Sequence, residues 1–232
     1  LEAPEDGTIG TDKIMNIVRM NFREPKDFVS TLWLSQINQA YGIEFAAEGW
    51  RREMPRSMGC VYWQYNDDWP GTSWSSVDYF GRWKALQYRA RHFYAPVLVS
   101  GEFDSTNRNV AIWLTSDEMK AIQGTLSWRI TDLTGMELRA GKQSVSLGAQ
   151  ISSRVDKLSL RDLLMKHGST NLLVWLTFDA KGRTMSQSLV MLAKPKELKL
   201  CDPELTSDVS GSGLEYTVSV RALHPALWVW LD

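Results

Sequence analysis

The sequence predicts a multidomain chain of α/β plus all-β character. A largely helical front part runs to about residue 95, an immunoglobulin-like β-sandwich covers 96–194, and a second, truncated β-sandwich opens over 195–232. Three observations carry this reading. The apolar residues recur with a helical period before Pro96 and with a period of two after it. Turn signals punctuate the second half at intervals suited to short strands. Pro195 then separates a further alternating stretch from the strands before it.

In the front part, Thr11 or Asp12 is placed to cap a short helix ending at Met20 or Phe22. Pro25 opens a longer helix, about 26–53. On it Val29, Trp33, Ile37, Ala40 and Tyr41 fall at i, i+4, i+8, i+11 and i+12 along one apolar stripe, and Pro55 ends it. Gly59-Cys60-Val61-Tyr62-Trp63-Gln64 has the length and apolarity of a buried strand. A loop rich in Trp, Asp, Ser, Gly and Pro follows to about Tyr79. Trp83, Leu86, Ala90 and Phe93 then mark the inner face of a helix over about 81–94, with Arg82, Lys84, Arg89 and Arg91 on its wet side. Helix, loop, strand, loop, helix is the rhythm of a β/α barrel or a doubly wound sheet. One strand does not decide between them, and so little sheet completes neither.

After Pro96, Val110, Ile112 and Leu114 alternate with Ala111, Trp113 and Thr115; Leu126, Trp128 and Ile130 alternate with polar residues; and Leu172, Val174, Leu176 and Phe178 do the same. The predicted strands lie near 97–104, 109–116, 123–132, 136–147, 150–158, 171–179 and 184–193, with one helical turn at 160–166. Seven short antiparallel strands read as an immunoglobulin-like sandwich. Beyond Pro195, strands are expected near 196–201, 214–221 and 227–231.

Composition excludes several function classes. With 232 residues, 44% hydrophobic, 23% charged and a net charge of −1, the chain is neither disordered nor suited to nucleic acid. Cys60 and Cys201 are far apart and lack zinc spacing, so they read as two buried thiols. His92, His167 and His224 read as isolated structural or surface histidines, and Glu44, Glu48 and Glu53 as solvated helix charges. Neither a metal nor a cofactor motif is found. Residues 28–43 lack charge, but Ser35, Gln36, Asn38 and Gln39 argue against a membrane span. The chain starts at Leu1 without Met or a signal pattern, and Leu227 to Asp232 reads as a strand lacking its partner, so both ends are expected to be cuts in a longer polypeptide.

The anomaly is the density of Trp, 11 in all. It peaks in Val61-Tyr62-Trp63-Gln64-Tyr65-Asn66-Asp67-Asp68-Trp69-Pro70-Gly71-Thr72-Ser73-Trp74-Ser75-Ser76, which follows the expected strand, where α/β folds place their sites. Trp offers a flat apolar face to a pyranose ring, and Asn, Asp and Gln offer paired donors and acceptors to hydroxyls. Core packing is the competing account of the same residues. Asp67 and Asp68 do not make a glycosidase pair, because such carboxylates face each other across about 5–9 Å of cleft.

The stretch from Tyr62 to Pro96 carries the pattern Y-W-Q-x-N-D-x-W-P-x-x-S-W-S-S-x-D-Y-F-G-R-W-K-A-L-x-Y. It closely resembles the β-mannosidases of glycoside hydrolase family 2, as do Gly42 to Gly59, His92-Phe93-Tyr94-Ala95-Pro96 and, more weakly, Ala226 to Asp232. The resemblance implies a five-domain enzyme built around a (β/α)8 TIM barrel, of which residues 1–95 supply the C-terminal part, 96–194 a whole sandwich and 195–232 the start of the last one. Trp63 would then close the eighth barrel strand and line the subsite of the cleaved mannose, with Asn66, Asp67 and Trp69 shaping the mouth. The implied activity is exo-acting, retaining hydrolysis of terminal β-D-mannose. The implied partners are a β-mannoside or manno-oligosaccharide and the missing N-terminal domains, with no cofactor, nucleic acid or membrane.

The family's two catalytic Glu residues sit in an N-E pair and a Glu-Tyr/Phe-Gly segment on earlier strands. Neither motif occurs here in matching context, since Glu44-Phe45 and Glu102-Phe103 are not followed by Gly. The catalytic pair is thus expected to lie outside this chain. The alternative is a stand-alone carbohydrate-binding or interaction module made of β-sandwiches. It leaves the two amphipathic helices and the orphan strand without a use. An α/β enzyme with its own site here lacks an assembled acid, base or nucleophile.

Overall fold

A computed structural model describes the backbone of residues 8–213 and 215–231, with side chains from residue 12 onward. The front part is α1 (Thr8–Asn21), α2 (Phe28–Arg52) and α3 (Ala85–Phe93). The first of these begins a turn earlier than the expected cap at Thr11 or Asp12, and the Thr11 side chain lies outside the described residues. Asp27 caps α2, accepting a hydrogen bond from the Ser30 amide at 2.7 Å. The apolar stripe of α2 buries Ile37, Ala40 and Ala47, and α3 meets it with Leu86, Ala90 and Phe93. The N-terminal end of the stripe stays open, with Val29 exposed.

The expected strand at 59–64 does not form. The segment is irregular, and Val61 is 93% exposed. A strand needs a continuous hydrogen-bonding neighbour, and within the described residues only the carbonyl of Gln64, at the end of this stretch, is paired with another segment's backbone.

The sandwich follows the predicted pattern closely. Its strands are β1 (Val97–Asp104), β2 (Asn109–Ser116), β3 (Ile122–Thr131), β4 (Glu137–Leu147), β5 (Ile151–Ser159), β6 (Leu173–Ala180) and β7 (Arg183–Met191), with α4 (Arg161–His167) crossing between β5 and β6. Every pairing is antiparallel, in a three-stranded sheet ordered β1-β2-β5 and a four-stranded sheet ordered β4-β3-β6-β7. Between them Ile112, Leu114, Leu126, Ile130, Val174, Leu176 and Phe178 are buried, and Trp128 packs on the same core from a half-buried position. Trp128 lies flat against Gly141, where a Cβ would come within 2.5 Å of the indole.

Of the three strands expected in the C-terminal region, the one near 214–221 forms and those near 196–201 and 227–231 do not. Residues 195–197 form one 3-10 turn, and β8 (Thr206–Ser212) pairs with β9 (Glu215–Arg221) in an exposed hairpin. Residues 222–231 form neither helix nor strand, and Asp232 lies outside the described residues. Residues 222–231 pair with no strand among the described residues. The aromatics instead turn back onto the helices: Trp228 meets Phe22 edge-on at 5.5 Å, and Trp230 meets Trp33 at 5.9 Å and Tyr88 at 5.4 Å. Cys60 is half-buried and Cys201 exposed, so the expectation of two buried thiols fails for both.

Candidate functional site

The site is built on the long connection between α2 and α3. Tyr62 anchors its start. The ring stacks near Tyr94 and stands edge-on to Phe93, and the hydroxyl lies 2.8 Å from Ser76 Oγ. Beyond Trp63, which precedes a cis peptide bond to Gln64, three short stretches of chain knit together. The amides of Ser76 and Val77 donate to the carbonyls of Gln64 and Tyr65 at 3.0 and 2.8 Å, and the Asp67 amide donates to the Val77 carbonyl at 3.2 Å. The Lys84 amide closes the third side on the Ser76 carbonyl at 2.9 Å. The loop is therefore ordered by its own backbone rather than by a sheet.

The four residues singled out from the sequence share this loop but face differently. Trp63 and Trp69 project outward, 77% and 66% exposed. Asn66 is exposed, and its Nδ2 donates to the Asp67 carbonyl at 3.2 Å. Asp67 turns inward and is buried. Ser73 Oγ lies 2.5 Å from Asp67 Oδ1 and Ser75 Oγ lies 2.6 Å from Oδ2, while Lys84 Nζ sits 3.3 Å from Oδ2 and 2.8 Å from Ser75 Oγ. Burial by itself would push the Asp67 carboxyl up, but the two hydroxyls and the ammonium outweigh it and hold the group below the usual carboxylate range. Ser73 and Ser75 are not singled out by the sequence, and Lys84, expected on the wet side of a helix over about 81–94, instead caps the shorter α3 and turns in to Asp67 with its side chain 16% exposed. Hydroxyls at six and eight residues from an Asp were the available signal.

A second polar cluster lies where the helices meet the sandwich, and it overturns the expectation of solvated charge at Glu44 and Glu48. Both are buried, whereas Glu53 is exposed. Glu44 is bridged by the Arg89 guanidinium and by His92 Nδ1 at 3.1 Å. His92 Nε2 contacts the Gln187 carbonyl on β7. Both ring nitrogens thus face acceptors, which calls for the doubly protonated ring. Burial works against that charge, but Glu44 prevails and the His92 pKa is raised. Glu48 pairs with Arg52 at 3.6 Å, and burial, together with the neighbouring Glu44, pushes its carboxyl up to about 7. Glu44, Glu48 and His92 place three donor atoms within 4.8 Å of one another, the reach of one metal ion. Arg89, Arg52 and the Gln187 carbonyl already engage those atoms. Glu44 and Glu48 lie four and eight residues beyond Ala40, one and two turns along the same stripe, which was the signal for their burial.

Chemically, the loop offers exposed indoles, Trp63 and Trp69 more open than Trp74 and Trp83, and the exposed Asn66 amide on a pre-ordered backbone. This suits a ring with an apolar C–H side and hydroxyl edges. Of its acidic residues, Asp67 is engaged by Ser73, Ser75 and Lys84, and Asp78 by Arg82.

Comparison with known proteins gives this arrangement a context. Residues 108–197 match the Mannosidase Ig/CBM-like domain family. Beta-mannosidase A of Aspergillus terreus is 29% identical over 191 residues, covering 76% of this chain and 20% of the relative. The enzyme of the same name from Aspergillus clavatus is 31% identical with the same coverage. The chain thus spans about a fifth of the length of the curated relatives it matches. Among solved structures, β-D-mannosidase from Dictyoglomus thermophilum superposes with a TM-score of 0.86 at 22% identity, over 96% of this chain and 27% of that one. The exo-chitosanase CsxA of Amycolatopsis orientalis superposes with a TM-score of 0.64 at 16% identity, over 86% of this chain and 27% of its own. In sequence over three quarters of its length and in fold over nearly all of it, this chain is a relative of the β-mannosidases, and residues 108–197 match their Mannosidase Ig/CBM-like domain.

Proposed function

We propose that this chain is part of an exo-acting, retaining β-mannosidase of glycoside hydrolase family 2 that releases terminal β-D-mannose. On this reading residues 1–95 complete a (β/α)8 barrel, 96–194 are the sandwich beside it and 195–232 open a second sandwich. The irregular, exposed path of 59–63 supports the first assignment: it is a strand-like sequence with no neighbour to pair with here. Trp63 is the wall of the mannose subsite, and Trp69 and Asn66 stand at its mouth. Asp67 acts beside the sugar by shaping the loop from within.

The carrying observation is the outward, ordered presentation of Trp63 on a chain related to β-mannosidases. Retaining hydrolysis needs two carboxyl groups about 5–5.5 Å apart, one as acid/base and one as nucleophile. These are assigned to the rest of the polypeptide. The 232-residue chain is therefore inactive by itself.

The test is turnover of an aryl β-D-mannoside by the full-length polypeptide and by this chain alone. The proposal expects hydrolysis with retention of anomeric configuration from the former and none from the latter. Turnover by the isolated chain that is lost on mutating one of its own Glu residues contradicts it.

A further inference from the structure

We infer that Asp67, Ser73, Ser75 and Lys84 form a positioning network that sets the angle at which Trp63 meets a β-mannoside. The inference rests on the proposed function above and adds residues to that site. The Lys84 ammonium has three N–H groups, and four oxygens surround it: Ser75 Oγ at 2.8 Å, Asp67 Oδ2 at 3.3 Å, the Ser73 carbonyl at 3.4 Å and Ser73 Oγ at 3.5 Å. The Lys84 and Asp67 side chains are 16% and 4% exposed, and Ser75 is fully buried. This charged pair is therefore shielded from solvent, unlike a surface bridge.

Its location gives it leverage. Lys84 is the residue from which α3 starts, and α3 shares a buried core with α2. Asp67 lies four residues beyond Trp63, in the stretch whose amide and carbonyls pair with 76–77. The network therefore ties the Trp63 strand of the loop to a fixed helix end. None of its four members is exposed, so its effect on a sugar is assigned to Trp63, the most exposed indole of the loop. Buried polar groups that are fully partnered confer one conformation, and losing a single member leaves the others unsatisfied. Misplacing a substrate by about 1 Å costs on the order of 100-fold in rate.

The test uses Ser75→Ala and Lys84→Met, each alone and combined with Trp63→Ala, in the full-length enzyme. The expected result is a fall in kcat/KM of about 10- to 100-fold for each single variant. Combined with Trp63→Ala, neither should add a further loss, because a group acting through Trp63 has nothing left to position. Full additivity with Trp63→Ala, or wild-type kinetics in both single variants, overturns the inference.

A second measurement covers variants that fold poorly or an enzyme that does not turn over. Amide hydrogen exchange at Ser76 and Val77 should rise by about 10-fold or more while the sandwich strands stay protected. Unchanged exchange there overturns the network as a positioning device. Absence of β-mannoside turnover in the wild-type enzyme, with exchange behaving as expected, overturns the functional reading instead.

Discussion

Arg51 of α2 reaches out of the helical layer to Asp117, just past the end of β2, with Nη2 2.8 Å from Oδ2. The same guanidinium donates through Nη1 to the carbonyls of Phe93 and Ala95 at 2.6 and 2.8 Å, so one buried side chain satisfies the end of α3 and the link into β1. The two partners are unequal, since the Arg51 side chain is 6% exposed and that of Asp117 is 46% exposed. Removing the arginine leaves two carbonyls and a carboxylate without their donor, whereas removing the aspartate leaves Arg51 its two carbonyls. Arg51→Ala is expected to cost about 2–4 kcal/mol, because the Phe93 and Ala95 carbonyls lose their charged donor. Asp117→Ala should cost about 1 kcal/mol or less. Urea unfolding of the two variants checks the asymmetry; equal losses would contradict it.

Glu48 is predicted to oppose stability at neutral pH. Its carboxyl is raised from 4.5 to about 7 by burial and by Glu44, so the folded state holds a proton that the unfolded state gives up. Its unfavourable contribution is absent below about pH 4.5, grows as pH rises to about 7 and is complete above that. Glu48→Gln should therefore raise the melting temperature at pH 8 relative to wild type, with the gain shrinking toward pH 5. Thermal unfolding across that range checks the slope, and a gain independent of pH contradicts it.

His92 works in the opposite sense. Its raised pKa means that its charged form stabilises the junction fully below about 6.5, and that this contribution is lost as pH climbs through the folded value. His92→Ala should destabilise more at pH 6 than at pH 8. An NMR titration of the ring should show a midpoint above 6.5. A midpoint below that value removes the imidazolium bridge between Glu44 and Gln187.

The sandwich was legible almost strand for strand, because alternation is imposed locally by the two faces of each strand: Leu126, Trp128 and Ile130 have to face one way whatever lies opposite. The same alternation misled at 59–64 and 227–231. A strand pattern states which face is apolar but does not supply a neighbour, and Trp228 and Trp230 found helix faces instead. At the junction, residue type was read over spacing. Glu44 continues the stripe of Ile37 and Ala40, but its partners Arg89 and His92 lie 45 and 48 residues away, beyond any local pattern. In the loop the types suited to a sugar were visible, whereas their directions were not. Nothing in the run Asn66-Asp67-Asp68-Trp69 tells that Asp67 turns in to Ser73 and Ser75 while Trp69 turns out.

The central claim, that Trp63 forms the wall of a mannose subsite, is tested most directly by Trp63→Ala in the full-length enzyme, with kinetics and melting temperature measured on one preparation. An indole that orients the ring contributes through both stacking and placement, so kcat/KM for an aryl β-D-mannoside should fall by roughly 100-fold or more, about 2.7 kcal/mol. If Trp63 serves the subsite and not a packed core, the melting temperature should move little. A variant that melts several degrees lower while its folded fraction keeps nearly full activity would contradict the claim, because Trp63 would then serve packing alone.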